Sequence, residues 1–274
     1  MMSDASGMRR FEGKVTVVTG GASGIGEAMS RRLASEGATV IVADLDADLG
    51  QPLADSVDGV EYEQVDVTDG DAVAALMDGI VSRHGRLDGV HANAGIETPP
   101  LLLADTPDEW FDKAVAVNTK GVFLTCKHAI RHMLELGGGS ICCTSSIHDV
   151  ASYPMIGVYA ISKAAVGATV RAIAADYSTR NIRANAILPG ATLTPMVKRE
   201  VEDAEDPVLQ QKLMDGLQAM KRCADPSEIA AGAAFLLSDD ASFITGASLP
   251  VDGGSLSLLP GPDLLDPDLH HNEA

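Results

Sequence analysis

The chain has 274 residues, 46 % of them hydrophobic and 22 % charged, which is enough for one large α/β core and does not require a second. Its formal net charge of −19 sets up a mean field that repels polyanions, so neither nucleic acid nor an anionic membrane surface is expected as a partner. Residues 1–10 lack the apolar core of a secretory signal, and apolar runs such as 15–18 and 38–43 fall far short of the roughly 20 residues that span a bilayer, which predicts a cytoplasmic protein.

Residues 1–10 read as an N-terminal extension, 11–254 as one domain and 255–274 as a C-terminal arm. A first strand at 15–19 runs into Thr19-Gly20-Gly21-Ala22-Ser23-Gly24-Ile25-Gly26, where glycines at 20, 24 and 26 turn the chain into a helix near 24–37. The first amides of that helix and its dipole suit a pyrophosphate, and the glycines let backbone approach the ligand with no Cβ in the way. A tight structural turn would use the same residues. The second strand, 39–44, ends at Asp44, eighteen residues after Gly26, where a carboxylate can accept from ribose hydroxyls and repel a 2′-phosphate. Its neighbours Ser23 and Leu45 are uncharged, which favours NAD over NADP.

A helix near 46–57, a strand at 60–66, a helix near 71–85 and a strand at 87–92 follow. Asp66 and Asn93-Ala94-Gly95 stand at the ends of those strands, where cofactor contact and ordinary turn chemistry are equally good readings. A helical run over 108–134 contains Asn118, a poor mid-helix residue, between Ala114-Val115-Ala116-Val117 and Thr119. The strand at 140–144 leads to Ser146 and His148; the latter is either a substrate contact or a solvated loop residue. Four cysteines, two of them adjacent in this strand, show no CxxC pair or histidine-spaced ligand set, so reduced thiols and no metal are expected.

The helix near 153–180 places Tyr159 and Lys163 four residues apart on one face, the lysine beside the phenol. Keeping part of a phenol of pKa about 10 ionised near neutral pH takes on the order of 4 kcal/mol from positive charge, which Lys163 and an oxidised nicotinamide would supply. A strand at 183–188 leads to Pro189, and 207–223 carries Val208, Leu209, Leu213, Leu217 and Met220 at helical spacing, either as core packing or as a lid. Asp225-Pro226-Ser227-Glu228 opens a helix at 226–238 with a capping box. Pro250 marks the last strand, 247–251, as an edge or a bulge. The arm holds Pro260, Pro262 and Pro267 with four acidic residues, and Leu256, Leu258, Leu259, Leu264 and Leu265 are apolar enough to dock on a neighbouring subunit.

Strand and helix alternate throughout, which predicts an α/β fold: a parallel sheet covered by helices on both faces, with ligands at the carboxyl ends of its strands. Gly20, Asp44, Asp66, Asn93, Ser146 and Pro189 all fall on that rim. With Thr19 to Gly26, Asp66-Val67, Asn93-Ala94-Gly95, Asn118, Ser146, Tyr159 to Lys163, Asn185 through Pro189-Gly190 to Thr194, and Val251 to Gly254, the chain resembles the short-chain dehydrogenase/reductase family over residues 11–254.

The resemblance implies a single Rossmann-like, doubly wound domain with a seven-stranded parallel sheet, a homotetramer built on the helices near 108–134 and 153–180 and on the last strand, and catalysis by Asn118, Ser146, Tyr159 and Lys163. Tyr159 would be the acid/base and Ser146 a donor to the substrate oxygen. Lys163 would bond the nicotinamide ribose, and the Asn118 carbonyl would hold a water on a proton path. NAD would meet Gly20, Ser23, Gly24, Ile25, Gly26, Asp44, Leu45, Asp66, Val67, Asn93, Ala94, Gly95, Tyr159, Lys163, Pro189, Gly190, Thr192 and Thr194. The substrate loop would span about 194–222. Ser146, His148, Tyr153, Met155, Tyr159 and Met196 are the candidate substrate contacts, and the apolar character of this region suggests an alicyclic secondary alcohol or ketone. An NADP-linked reductase of the same fold and a non-catalytic NAD-binding sensor are the alternatives.

Overall fold

In the computed structural model, described over residues 9–258, seven parallel strands form one sheet in the order β3-β2-β1-β4-β5-β6-β7. They are β1 (Val15–Thr19), β2 (Thr39–Asp44), β3 (Val60–Gln64), β4 (Gly89–Ala92), β5 (Gly139–Thr144), β6 (Ile182–Pro189) and β7 (Ser248–Val251). Every pairing is parallel, with Val17 opposite both Ile41 and Val90, and Cys142 opposite Asn185. β1 through β5 are almost wholly buried runs of Val, Ile, Ala and Cys except for β3, which suits strands covered on both faces. The expected edge position of Pro250 is found: β7 closes the sheet beside β6, with Leu188 opposite Pro250.

Helices α1 (Gly24–Ser35), α2 (Ala47–Ser56) and α9 (Pro226–Leu237) lie on one face; α3 (Gly70–His84), α5 (Val122–Leu136) and α6 (Gly157–Tyr177) lie on the other. Met29, Leu33 and Ile229 fill the first layer and Met77, Ile80, Met133 and Val170 the second. Asp225 caps α9 through a full capping box, Glu228 reaching back to the Asp225 N–H at 2.9 Å. Arg10 belongs to the fold rather than to an extension, because its guanidinium bonds the buried Glu36 at 2.6 and 2.8 Å.

The helical run expected over 108–134 is three pieces: α4 (Asp108–Ala114), a π-helical turn at Val115–Gly121 that contains Asn118, and α5. The helix expected from 153 starts at Gly157, because Met155 takes a left-handed backbone of φ 69°. Between β6 and α9 the chain forms α7 (Pro195–Glu202), which the sequence pattern did not show, and α8 (Pro207–Gly216), shorter than the expected 207–223. The stretch Gly157–Arg180 is long and apolar enough to cross a membrane by length and composition, contrary to the sequence expectation; here it packs on the sheet at β6. Of the leucines expected to dock on a neighbouring subunit, those at 259, 264 and 265 lie outside the described residues, and Leu258 is exposed. Ser255–Ser257 does not begin an arm but forms a 3₁₀ turn of the domain, with Ser255 buried.

Candidate active site

The strand order reverses between β3 and β4, so the carboxyl ends of β1 and β4 open a crevice. Gly20 leaves β1 with φ 60°, and a Cβ there would stand 2.8 Å from the Ala94 Cα, so the loops after β1 and β4 touch. Gly26 is closer still: a Cβ would lie 1.9 Å from the Gly20 carbonyl oxygen. Asn93 ties the two loops, donating through Nδ2 to the Thr19 and Gly20 carbonyls at 3.2 and 3.0 Å. The N-cap of α1, Ser23, is exposed and makes no side-chain cap, so the first-turn amides of α1 are free to meet an anion.

Asp44 stands half-buried at the end of β2, with Oδ2 accepting from Ala22 N at 3.0 Å and Oδ1 from Asp46 N at 3.1 Å. Each oxygen keeps a further lone pair for a hydroxyl. Leu45 is exposed beside it. These features fit a dinucleotide whose diphosphate rests on α1 and whose ribose faces Asp44. Asp66, exposed after β3, accepts through Oδ1 from the Thr68 amide and hydroxyl, both at 2.8 Å, and Val67 is buried against Gly121.

A cleft of about 500 Å³ continues from Ile25 along Pro189, Gly190, Thr192 and Thr194 to Ser146, Tyr159 and Lys163. Thr194 caps α7 by accepting from Val197 N at 3.3 Å. Ser146 is buried and accepts from His148 N at 3.2 Å. His148, Tyr153 and Met196 line the cleft as expected. Met155 does not; its left-handed backbone sets its neighbour Ile156 in the lining and leaves Met155 exposed, with its carbonyl accepting from Leu101 N at 2.8 Å.

Lys163 is 3 % exposed, with Nζ 5.7 Å from the centre of the Tyr159 ring and donating to the Thr144 carbonyl at 3.0 Å. Burial pulls its ammonium down to about 8. Tyr159 carries the opposite field in the protein alone. Burial raises its phenol above the ordinary value, the charge of Glu97 adds to that, and the Ser146 hydroxyl pulls the other way. In the protein alone, desolvation therefore outweighs the Ser146 hydroxyl.

Asn118 works through its side chain. Oδ1 accepts from Ile96 N at 2.8 Å, while Nδ2 donates to Ile96 O at 2.9 Å and Ser162 Oγ at 3.0 Å. The π turn thereby pins the loop after β4 to α6, next to Lys163.

Several site residues had no sequence signal strong enough to find them. Thr144 donates to Asn93 Oδ1 at 2.9 Å, so the buried His91, 2.8 Å away, must be the donor to Thr144 Oγ1; burial holds His91 near 3 and neutral. Glu97, Glu200 and Gln218 also line the cleft. The Cys126 and Cys143 sulfurs lie 3.7 Å apart, buried as free thiols, as expected.

Residues 20–255 match the family model described as enoyl-(acyl carrier protein) reductase. A cis-4-hydroxycyclohexanecarboxylate dehydrogenase of Sinomonas cyclohexanicum is 40 % identical over 89 % of this chain and 97 % of its own length. A 2,5-dichloro-2,5-cyclohexadiene-1,4-diol dehydrogenase of Sphingobium indicum is 39 % identical over 90 % and 98 %. The crystal structure of levodione reductase superposes with a TM-score of 0.86 at 34 % identity, covering 91 % of this chain and all of the other. Identity of this order over about nine-tenths of the chain, together with the match of residues 20–255 and the superposition, places the protein in the short-chain dehydrogenase/reductase family, as an oxidoreductase.

Proposed function

We propose that the protein moves hydride between NAD and the carbinol carbon of an alicyclic secondary alcohol, or the matching ketone. The observation that carries this is one continuous cleft joining the uncapped start of α1, through Ile25, to Ser146, Tyr159 and Lys163. The nicotinamide, when bound, supplies the hydride acceptor or donor. Tyr159 Oη takes the hydroxyl proton in oxidation and returns it in reduction, and Ser146 donates to the same substrate oxygen. Lys163 presents a buried positive charge beside the phenol and a donor for the cofactor ribose. Bound NAD brings a second positive charge, which offsets the desolvation that raises Tyr159 in the free protein. Asn118 holds the loop after β4 against α6, and its carbonyl lies in the π turn, where a water passes protons onward from Lys163.

Asp44, with no basic side chain at Ser23 or Leu45, supports NAD as the cofactor. Absorbance of the reduced nicotinamide, followed with NAD or NADP and cyclic secondary alcohols, tests both parts. Turnover is expected with NAD. Asp44→Ala is expected to raise the NAD KM about tenfold and to raise the NADP:NAD ratio of kcat/KM by at least as much. Unchanged selectivity would remove Asp44 as the reader of the ribose.

The assembly proposed is a homotetramer. α5 and α6 present Phe123 and Ile161 to solvent, and Phe243, near β7, is fully exposed; such apolar surface suits subunit contact. Light scattering is expected to give four times the 28.4 kDa chain mass, and a monomer at micromolar concentration would overturn this assembly.

A further inference from the structure

The cleft is chemically lopsided in a way that hydride transfer alone does not use. Donors stand where β5 leads into α6, at Ser146, Tyr159 and Lys163. The loop after β4, α7 and the turn after α8 contribute acceptors instead. Gln218 lines the cleft yet is 2 % exposed, and its Nε2 donates to Met214 O at 3.0 Å and Arg222 O at 3.2 Å. Those two bonds fix the amide, because turning it over would set Oε1 against two carbonyls. Oε1 is left buried with no hydrogen-bond partner among the described residues, an arrangement that proteins rarely leave unanswered. The residue is also held from behind: a Cβ on Gly253 would lie 3.2 Å from its Cβ, and Ser255 Oγ donates to the adjacent Leu217 carbonyl at 2.8 Å.

Glu97 and Glu200 add carboxylates to the same lining. They are near enough to sense each other, since the Glu97 carboxyl is raised first by burial and then by the charge of Glu200. Lys163 is the one Lys or Arg among the lining residues, and its Nζ already serves Thr144. A carboxylate on the substrate would find no free cation there and would meet like charge. A hydroxyl would find acceptors.

We infer that the substrate is a neutral cyclic diol whose reacting carbinol meets Ser146 and Tyr159 while its second hydroxyl donates to Gln218 Oε1, with Glu97 and Glu200 excluding rings that bear a carboxylate. This rests on the hydride-transfer reading and divides the substrate classes for which two relatives are named, a ring hydroxy acid and a ring diol.

The test measures initial rates with NAD on cyclohexanol, cyclohexane-1,4-diol and cis-4-hydroxycyclohexanecarboxylate. Wild type is compared with Gln218→Met and with the double variant Glu97→Gln/Glu200→Gln. In wild type, kcat/KM for the diol is expected to exceed that for cyclohexanol by about tenfold or more, with the hydroxy acid below cyclohexanol by a similar factor. Gln218→Met is expected to cut the diol:cyclohexanol ratio about tenfold, mainly through the diol KM, and the glutamate variant to raise the hydroxy acid:cyclohexanol ratio about tenfold. Equal use of diol and hydroxy acid by wild type, or a Gln218→Met loss shared alike by both neutral alcohols, would overturn the inference and leave the hydride-transfer reading standing. No turnover of any of the three despite NAD binding would overturn both. If Gln218→Met fails to fold, the wild-type ratios and the glutamate variant decide.

Discussion

Tyr159→Phe is expected to lower kcat by about a thousandfold or more while changing NAD affinity by no more than about threefold. The substitution removes one oxygen and keeps the ring, its edge contact with His148 at 6.0 Å, and the backbone carbonyl that accepts from Ser162 Oγ at 2.7 Å. What it deletes is the atom that receives the substrate proton. His148 cannot substitute readily, since burial lowers its imidazole and its Nδ1 lies 3.3 Å from the Ala151 carbonyl. Stopped-flow absorbance at the reduced-nicotinamide band, with NAD titrated separately by fluorescence, separates chemistry from binding. A kcat within tenfold of wild type would mean that another group moves the proton.

Lys163→Met is expected to abolish turnover to a similar degree and, unlike most active-site changes, to make the free protein more stable at neutral pH. The ammonium is buried and its folded pKa falls from 10.5 to about 8, so the unfolded chain holds that proton more tightly. Below about 8 the folded state bears the full penalty, on the order of 3 kcal/mol. Between about 8 and 10.5 the unfolded state binds more protons, wild-type stability rises, and the penalty disappears. Loss of the bond to the Thr144 carbonyl offsets about 1 kcal/mol of the gain. Urea unfolding of the cofactor-free protein should therefore show the variant ahead by on the order of 2 kcal/mol at pH 7, with the difference narrowing as pH rises towards 10. A variant less stable than wild type at pH 7 would show that Lys163 is held by attractions the free protein already supplies. The lysine is thus a stability cost retained for chemistry.

Strands such as β1 and β2 could be read in advance because each is a short run of Val, Ile, Ala and Thr closed by glycine or aspartate, and burial on both faces left little room for another pattern. The glycine turn and the Tyr159–Lys163 pair were equally plain, being local. Misses came where the deciding contact is distant in sequence. α7 reads as a polar stretch after Pro195, and its capping by Thr194 carries little weight until Val197 is seen to be buried. The helix after Pro207 stops at Gly216 because Gln218, Met220 and the turn near Cys223 are claimed by Met214, Gly253 and Asp215. Met155 was placed in the cleft from its type, and a left-handed backbone that nothing in the sequence announces took it out. The spacing of Tyr159 and Lys163 says that they are neighbours and nothing of how far water has been removed from the phenol, so the desolvation that raises Tyr159 in the protein alone had no sequence signal.

The turn at Ser255 has a consequence in time. Its hydroxyl joins the Leu217 carbonyl to the Tyr159 side of the cleft through Tyr153 Oη at 3.0 Å, so the wall that carries Gln218 is clasped by residues translated long after Ser146. At ribosomal rates of roughly 5–20 residues per second, the donor half of the cleft leaves the tunnel roughly 5–20 s before its clasp does. A nascent chain can therefore complete the dinucleotide end of the sheet before the substrate end takes shape.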